Sequence, residues 1–600
     1  MTDTAPASAR RPPRLVKAFA TVGIWTLLSR VLGFVRDIAI AATLGAGPVA
    51  EAFLIAFALP NMFRRFFAEG AFNMAFVPMF SKKVERGEDA LPFARDAATG
   101  LALVLLALTA LAVIFMPGLV LLMAAGFAED ERLPLAVFYG RIAFPYILLI
   151  SLAALLSGVL NATGLALVLL ALTVLAVVLM PGLVLLMAAG FAEDERLPLA
   201  VFYGRIAFPY ILLISLAALL SGVLNATGRF VAAAAAPVLL NLVFIAALGI
   251  GTLFHIPVGE MLNLGLEEAL GIETGTALAM SVPVAGLAQL ALVWWAASRA
   301  GYHIAPARPR LTPELRRLAV IAAPAALAGG VVQVNLLVGR QVASFFDGAI
   351  AWLSYADRLY QLPLGVVGIA VGVVLLPELS RRLSAGDASG ARHSLSRAAE
   401  FALALTVPSA VALVVVPMPI VATLFERGAF GADDTAATAL AVAIYGLGLP
   451  AFVLQKVYQP VFFAREDTRT PFRIALWSMV ANAGLAVGLA PLIGFAAAAI
   501  GTTLAGWVTV WLLARAARRH GDAAVLLPDT RARIWRILAA SVGMGAAVWT
   551  LALLLGPLFA SAGPLALALL VGGGAVAYGA LGALLGAFRL SDFRAAVRRG

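Results

Sequence analysis

The sequence contains no cysteine, which excludes disulfide bonds, thiolate metal sites and a cysteine nucleophile. Histidine is almost as scarce, and its four copies are scattered along the chain without the spacing of metal ligands. The glycine-rich loop that cradles nucleotide phosphates is also missing, so the sequence does not predict a nucleotide-hydrolysing site. We therefore expect no enzyme, no metal site and no resident cofactor.

Charged residues are also scarce. They make up 12% of the 600 residues, whereas a water-soluble globular protein has roughly a quarter. Hydrophobic residues make up 62% and the mean hydropathy is +0.99, so a soluble fold would lack the polar surface to cover itself. The net charge of +11 is an arginine excess of the kind found in cytoplasmic loops, and we expect no nucleic-acid partner. The composition predicts an all-α polytopic membrane protein.

Sixteen apolar stretches are long enough to cross a bilayer, which takes about 20 residues per helix. The first is 17–43 and the last is 563–587, and one of those between them is predicted as a single span at 395–424. Residues 1–16 are polar and rich in proline and arginine, which predicts a cytoplasmic tail. Alternate loops are basic, so the positive-inside rule places both termini in the cytoplasm.

The sequence contains a tandem repeat. The 64-residue blocks 101–164 and 165–228 differ at three positions only, and without one copy the chain would have 536 residues. The differing pairs are Ala110 and Val174, Ile114 and Val178, and Phe115 and Leu179. Each block encodes one helical hairpin, so the duplication leaves every later loop on its original side of the membrane. We expect one hairpin to pack within the bundle and the other to lie at its periphery, facing lipid.

Several ionisable residues lie within predicted spans, where a charge is costly and usually faces the bundle interior or an aqueous cavity. They are Arg30, Arg36 and Asp37 in the first span, Glu51, Arg64 and Arg65 in the second, and Asp357 and Arg358 in the second half of the chain. The structural alternative is an internal ion pair, such as Arg36 with Asp37, or snorkelling of the side chain to the interface. Both interpretations stay open at this point.

The excess of arginine over other intramembrane charges favours an anionic ligand. A guanidinium group stays charged and binds phosphate oxygens with two parallel hydrogen bonds. The buried Asp, Glu and His relays that proton-coupled transporters use are sparse in this sequence. The pattern therefore predicts a cavity for a phosphate or diphosphate group.

Five strings occur in order along almost the whole chain. They are SRVLGFVRD at 29–37, LPNMFRRFFAEGAFNMAFVP at 59–78, FPYILLISLAALLSGVLNATGRF at 208–230, SYADRLYQLPLGVVGIAVGVVLLPELS at 354–380 and FFAREDTRTPFRIA at 462–475. Together they resemble the bacterial lipid II flippase family, MurJ (formerly MviN), of the multidrug/oligosaccharidyl-lipid/polysaccharide exporter superfamily.

The resemblance implies two six-helix lobes around a central cavity, followed by two C-terminal helices that form a groove for a lipid tail. It places the first lobe at 17–306, including the repeated hairpin, the second lobe at 307–520 and the helix pair at 521–600. It also implies that Arg30, Arg36, Arg64 and Arg358 hold the diphosphate, with Asp37, Glu51, Arg65 and Asp357 as supporting charges.

The activity implied by the resemblance is transport without an enzymatic step. A family member moves lipid II, the undecaprenyl-diphosphate-linked peptidoglycan precursor, from the inner to the outer leaflet of the bacterial cytoplasmic membrane by alternating access. The partners implied are lipid II, membrane lipids and cell-wall synthesis proteins, and the driving force is the membrane potential or a coupled ion. The alternatives are an exporter of another polyprenyl-diphosphate-linked oligosaccharide and a non-transporting membrane scaffold, which would be marked by loss of the cavity arginines.

Overall fold

A computed structural model of the chain describes residues 13–64, 180–191, 196–207, 231–253, 272–299, 338–465, 467, 469–521 and 524–587, with single positions between 210 and 229. The predictions made for Arg65, for the first hairpin copy at 101–164 and for the start of the cytoplasmic tail fall outside these residues.

The described residues are helical almost throughout. The α-helices are α1 (Pro13–Leu44), α2 (Pro48–Arg64), α3 (Met180–Met187), α4 (Arg196–Ala207), α5 (Val231–Leu253), α6 (Ile272–Arg299), α7 (Ala349–Ser384), α8 (Ala388–Val415), α9 (Pro417–Phe425), α10 (Ala432–Phe463), α11 (Arg469–Ile493), α12 (Ala496–Ala517), α13 (Pro528–Leu554) and α14 (Gly556–Leu584). In these ranges the only β pairing is an isolated bridge between Arg427 and Phe430. The predicted all-α class is confirmed.

Eight of the described helices are long and apolar enough to cross a membrane. They are α5, α6, α8 and α10 to α14, the last of these ending at Leu584. Large apolar side chains such as Trp477, Leu492 and Leu584 are exposed on them, as expected of surfaces that contact lipid instead of water. The total of sixteen spans stays a prediction, because much of the first half of the chain lies outside the described residues.

The span predicted at 395–424 is present, but its bounds are corrected. The helix long enough to cross a membrane is α8 (Ala388–Val415), and the short helix α9 occupies the end of the predicted stretch. α8 ends at Val415 and α9 begins at Pro417, and Val416 between them has a non-helical conformation. A proline inside a continuous helix removes a hydrogen bond and clashes with the preceding turn, whereas in the first turn of a helix it costs nothing. Pro417 therefore starts a new helix instead of continuing α8.

The described residues divide into two compact units. The first unit contains most of α1, α2 and α3, together with α4, α5 and α6. The second unit contains residues 40–51, residues 186–191 and the described chain from 338 onward. The domain boundaries predicted at 306/307 and 520/521 stay predictions.

Each unit has its own apolar core. In the first unit α5 packs along α6, and Gln289 of α6 donates a hydrogen bond to the Ala236 carbonyl of α5 at 2.9 Å. In the second unit the C-terminal pair α13 and α14 packs against α8 and the α8–α9 junction through Val416, Met544 and Leu570.

Candidate functional site

The first charged group lies on α1, where Arg36 and Asp37 are both almost fully buried. The Arg36 Nε and Nη2 atoms donate hydrogen bonds to Asp37 Oδ1 at 2.9 and 2.6 Å. The ion pair considered as a structural alternative is therefore formed. It compensates the charge of both residues within the apolar unit, and the substrate-binding role of Arg36 stays a prediction.

A third residue, Asn241 of α5, completes this group and was missed by sequence reasoning. Its Oδ1 accepts a hydrogen bond from Arg36 Nη1 at 2.9 Å, and its Nδ2 donates to the Ser29 carbonyl of α1 at 2.8 Å. Asn241 is 4% exposed, and its side chain lies against Gly33 of α1. The available signal was a lone amide in the otherwise apolar string VAAAAAPVLLNLVFIAALGIGTL of α5.

Aromatic rings form the apolar side of the group. The guanidinium carbon of Arg36 lies 5.5 Å from the ring centroid of Phe244, in the range of a cation–π interaction. Phe57 of α2 lies against Phe244 with the centroids 5.2 Å apart, and Phe53 stacks on Phe57. Such an apolar surround strengthens the hydrogen bonds and ion pair inside it.

Arg36 keeps some capacity to bind a ligand. A guanidinium has five N–H groups, and the bonds to Asp37 and Asn241 use three of them. The other two can donate to oxygens of a phosphate group. Arg36 is 6% exposed in this structure.

The other predicted arginines are distributed over both units. Arg30 is exposed on α1, six residues before Arg36. Arg64 ends α2, and its side chain, like the whole of Arg65, lies outside the described part of the structure. Arg358 is half-buried on α7 of the second unit. The convergence of the four arginines on one cavity therefore stays a prediction.

Asp357, predicted as a supporting charge for Arg358, lies beside it on α7 and is also half-buried. Its carboxylate accepts a hydrogen bond from Gln361, one turn later on the same helix. Next to it, Tyr360 contacts the ring of Tyr445 of α10 with the centroids 5.1 Å apart. The surroundings of Asp357 thus combine Arg358 and Tyr360 of α7 with Tyr445 of α10.

Glu51, the other supporting carboxylate, belongs to the second unit and is 1% exposed. Its Oε1 accepts a hydrogen bond at 3.0 Å from the backbone N–H of Ile350, the second residue of α7. Gly348 stands at the N-cap of α7 and has no side chain to cap it. Glu51 supplies this cap from another helix, and its negative charge lies at the positive end of the α7 dipole.

The turn between α1 and α2, which precedes Glu51, is bound to the same unit. The Tyr355 hydroxyl donates to the Gly45 carbonyl at 2.9 Å, and the Ala429 N–H donates to the Ala42 carbonyl at 2.9 Å. Gly45 has a φ of 62°, and a Cβ there would overlap the Ala429 carbonyl. Only glycine fits this turn.

Comparison with known proteins identifies the family. The family model described as lipid II flippase MurJ matches residues 40–165 and 162–569. This chain belongs to the MurJ lipid II flippase family. The resemblance found in the five strings is confirmed by matches that cover most of the chain.

Individual relatives agree with the family match. A probable lipid II flippase MurJ of Rhizobium meliloti (strain 1021) is 41% identical over 593 residues, covering 98% of this chain and 97% of the relative. The lipid II flippase MurJ of Burkholderia cenocepacia is 31% identical over 84% of each chain. The chain thus spans nearly the full length of the first of these MurJ proteins.

The fold is shared with solved structures. A lipid II flippase MurJ in an inward closed conformation superimposes with a TM-score of 0.64 at 22% identity, covering 94% of this chain and 98% of its own. An inward-facing multidrug resistance MATE family transporter of the MOP superfamily gives a TM-score of 0.52 at 14% identity. Both comparisons show that the helical fold is shared.

The Asn241 bridge leads to a first testable expectation. Replacing Asn241 by leucine, which is similar in size and apolar, leaves Arg36 Nη1 buried without its acceptor and removes a second donor from the Ser29 carbonyl of α1. A buried donor left without its acceptor costs about 1–3 kcal/mol. We expect Asn241→Leu to lower the thermal unfolding midpoint of the detergent-purified protein and to weaken its activity. Leu242→Ala, which truncates an exposed neighbour on α5, is the control and should leave both unchanged; an equal effect of the two variants would contradict the bridge.

Proposed function

We propose that this chain is a lipid II flippase, which moves undecaprenyl-diphosphate-linked peptidoglycan precursor from the inner to the outer leaflet of the bacterial cytoplasmic membrane. The observation that carries the proposal is the MurJ family match over residues 40–165 and 162–569. The relatives from Rhizobium meliloti and Burkholderia cenocepacia carry lipid II flippase in their names and match over most of their length. Both termini are proposed to lie in the cytoplasm.

The charges support an anionic headgroup as cargo. Arg30, Arg36, Arg64 and Arg358 are proposed to hold the diphosphate at different stages of an alternating-access cycle. Arg36 is buried and bound to Asp37 and Asn241, so its proposed contact with the diphosphate belongs to a more open state. Arg30 is exposed and is proposed as a contact that is available before this opening.

Transport is proposed to need no cofactor and no chemical step by the protein. The membrane potential acts on moving charges with about 2.3 kcal/mol per elementary charge per 100 mV, so it or a coupled ion can supply the driving force. Lipid II, the surrounding membrane lipids and cell-wall synthesis proteins are the proposed partners.

Complementation tests the role of the arginines. In a strain depleted of its own flippase, we expect the unaltered chain to restore growth and Arg30→Ala or Arg358→Ala to abolish this rescue. Arg30 is exposed, so its removal should cost little folding stability, and the amount of protein in the membrane should not change. Arg299→Ala removes an equally exposed arginine at the end of α6 and should retain rescue.

Two outcomes would contradict the proposal, each in a different part. Normal growth with both Arg30→Ala and Arg358→Ala would remove the diphosphate-binding role from these residues. Failure of the unaltered chain, at normal abundance in the membrane, would favour a non-transporting scaffold or an exporter of a different polyprenyl-linked oligosaccharide.

A further inference from the structure

We propose that the second copy of the repeated hairpin, residues 165–228, occupies the packing site on α5 and α6 and completes the first unit. The first copy, 101–164, is excluded from that site because the site is already filled. Of two segments that are almost identical in sequence, only the second therefore packs against α5 and α6. It does not depend on the transported substrate.

The second copy fills this site closely. The Tyr210 hydroxyl lies 3.2 Å from Gln289 Oε1 of α6 and donates a hydrogen bond to it, and Tyr210 is 1% exposed. A Cβ placed on Gly286 of α6 would lie 2.8 Å from Tyr210 Cδ2 and 2.8 Å from the Cβ of Leu213. The backbone of α6 thus approaches the second copy as closely as glycine permits, and no further helix fits between them.

The turn of the same hairpin is fixed separately within the second unit. The backbone N–H groups of Ala189 and Gly190 donate to Gln341 Oε1 at 2.9 Å and to Ser344 Oγ at 3.0 Å. A Cβ on Gly190 would overlap the Ser344 carbonyl. Both contacts involve backbone groups of the turn, so only a segment with glycine at this position fits.

Side chains cannot select between the two copies. Every second-copy residue named in these contacts has an identical counterpart 64 positions earlier, including Tyr146 for Tyr210, Leu149 for Leu213 and Gly126 for Gly190. The three positions that differ between the copies, Val174, Val178 and Leu179, all lie before α3 begins. The choice of copy must therefore come from how the chain is connected.

Connectivity favours the second copy. Leu224 is buried with Ala236, Val293 and Ala297 of α5 and α6, and the Arg229 N–H closes a turn onto the Leu224 carbonyl at 2.8 Å. Leu224 precedes Val231 at the start of α5 by only seven residues, whereas its counterpart in the first copy precedes Val231 by seventy-one. Because closing a longer connection costs more conformational entropy, this difference disfavours the first copy.

The connection on the other side offsets part of this preference. Arg64 at the end of α2 is followed by the first copy sooner than by the second, with 52 residues to Met116 and 116 residues to Met180. The same length dependence favours the first copy here. However, these two lengths differ only about twofold, against about tenfold on the side of α5, so the second copy remains preferred.

Deleting one copy cannot test this assignment. Removal of 101–164 or of 165–228 gives chains of 536 residues that differ only at the three unlike positions. A test must therefore distinguish the copies within the full-length chain. The absence of native cysteine makes this possible, because two introduced cysteines are the only thiols present.

Disulfide trapping is the deciding experiment. Full-length chains carrying Leu213→Cys with Gly286→Cys, or Leu149→Cys with Gly286→Cys, are oxidised in native membranes and then titrated with a maleimide–polyethylene glycol reagent. We expect the first pair to form a disulfide and to escape labelling, and the second pair to take up two labels per chain. Formation of the disulfide by the Leu149 pair, alone or alongside the Leu213 pair, would overturn the proposal, and so would labelling of both pairs.

A matched pair of substitutions keeps the proposal testable if Gly286→Cys prevents folding. Gly190→Val forces a side chain into the Ser344 backbone, whereas Gly126→Val makes the same change in the same local sequence of the first copy. We expect the amount of folded protein, measured by size-exclusion chromatography of detergent extracts, to fall at least fivefold for Gly190→Val and to stay within twofold for Gly126→Val. The reverse order, or equal effects of the two, would contradict the assignment.

Discussion

Arg36→Ala is expected to destabilise the first unit and to abolish rescue of a flippase-depleted strain. The substitution leaves the Asp37 carboxylate buried without the two bonds from Arg36, and removes the donor to Asn241 Oδ1. Removing one partner of a buried ion pair costs about 3–5 kcal/mol, because the remaining charge loses the opposite charge paired with it. This is comparable to a large part of the stability of a typical domain. We expect a marked drop in the thermal unfolding midpoint of the purified protein.

A double variant separates stability from transport at this position. Arg36→Ala combined with Asp37→Ala removes both charges, so the cost of an uncompensated carboxylate disappears. We expect the double variant to recover much of the lost thermal stability and still to fail in complementation. Growth of the double variant would mean that Arg36 serves only the ion pair. Arg36→Lys is informative as well, because an ammonium group keeps the charge but cannot reach Asp37 and Asn241 with a planar fork.

Glu51→Ala is expected to have the second-largest effect. The change removes the acceptor of the Ile350 N–H and the negative charge at the start of α7. Loss of a helix cap costs about 0.5–2 kcal/mol. Because the Ile350 N–H is buried, we expect the cost of losing its acceptor to lie nearer the roughly 1–3 kcal/mol of a buried unsatisfied group. We expect a lower unfolding midpoint and loss of rescue, measured on the same protein preparations and strains.

Two companion variants identify the cause of the Glu51 effect. Glu51→Gln keeps an oxygen acceptor without the charge, so it should be more stable than Glu51→Ala. Asp433→Ala removes an exposed carboxylate from the first turn of α10 and should cost little. If Asp433→Ala were as damaging as Glu51→Ala, the buried cap on α7 would not explain the result.

The Arg36 site shows which contacts could be predicted from the sequence and which could not. The adjacency of Arg36 and Asp37 and the low charge of their surroundings were sufficient to predict an intramembrane ion pair or a binding group. Asn241 lies 205 residues from Arg36, and no local pattern connects the two positions. The partner of Glu51 could not be predicted at all, because it is a backbone N–H group that every residue except proline possesses.

The helices show the same division between local and long-range information. The length of the apolar stretches predicted the bounds of most described spans to within a few residues. This is possible because each helix must by itself be long and hydrophobic enough to cross the bilayer. Pro417 indicated the break between α8 and α9. The sequence nevertheless predicted one span across it, because the stretch on both sides of the proline is continuously apolar. The duplication was evident in the sequence, whereas the copy that packs on α6 depends on contacts such as Tyr210 with Gln289.

The most direct test of the proposed function measures the leaflet in which lipid II resides. Cells depleted of their own flippase are supplied with the unaltered chain or with Arg30→Ala, and lipid II exposed on the outer face is cleaved by an externally added lipid II-degrading toxin. The account predicts that most lipid II becomes accessible with the unaltered chain and that it stays protected with Arg30→Ala at equal protein abundance. Lipid II that stays protected when the unaltered chain is present in the membrane would contradict the account.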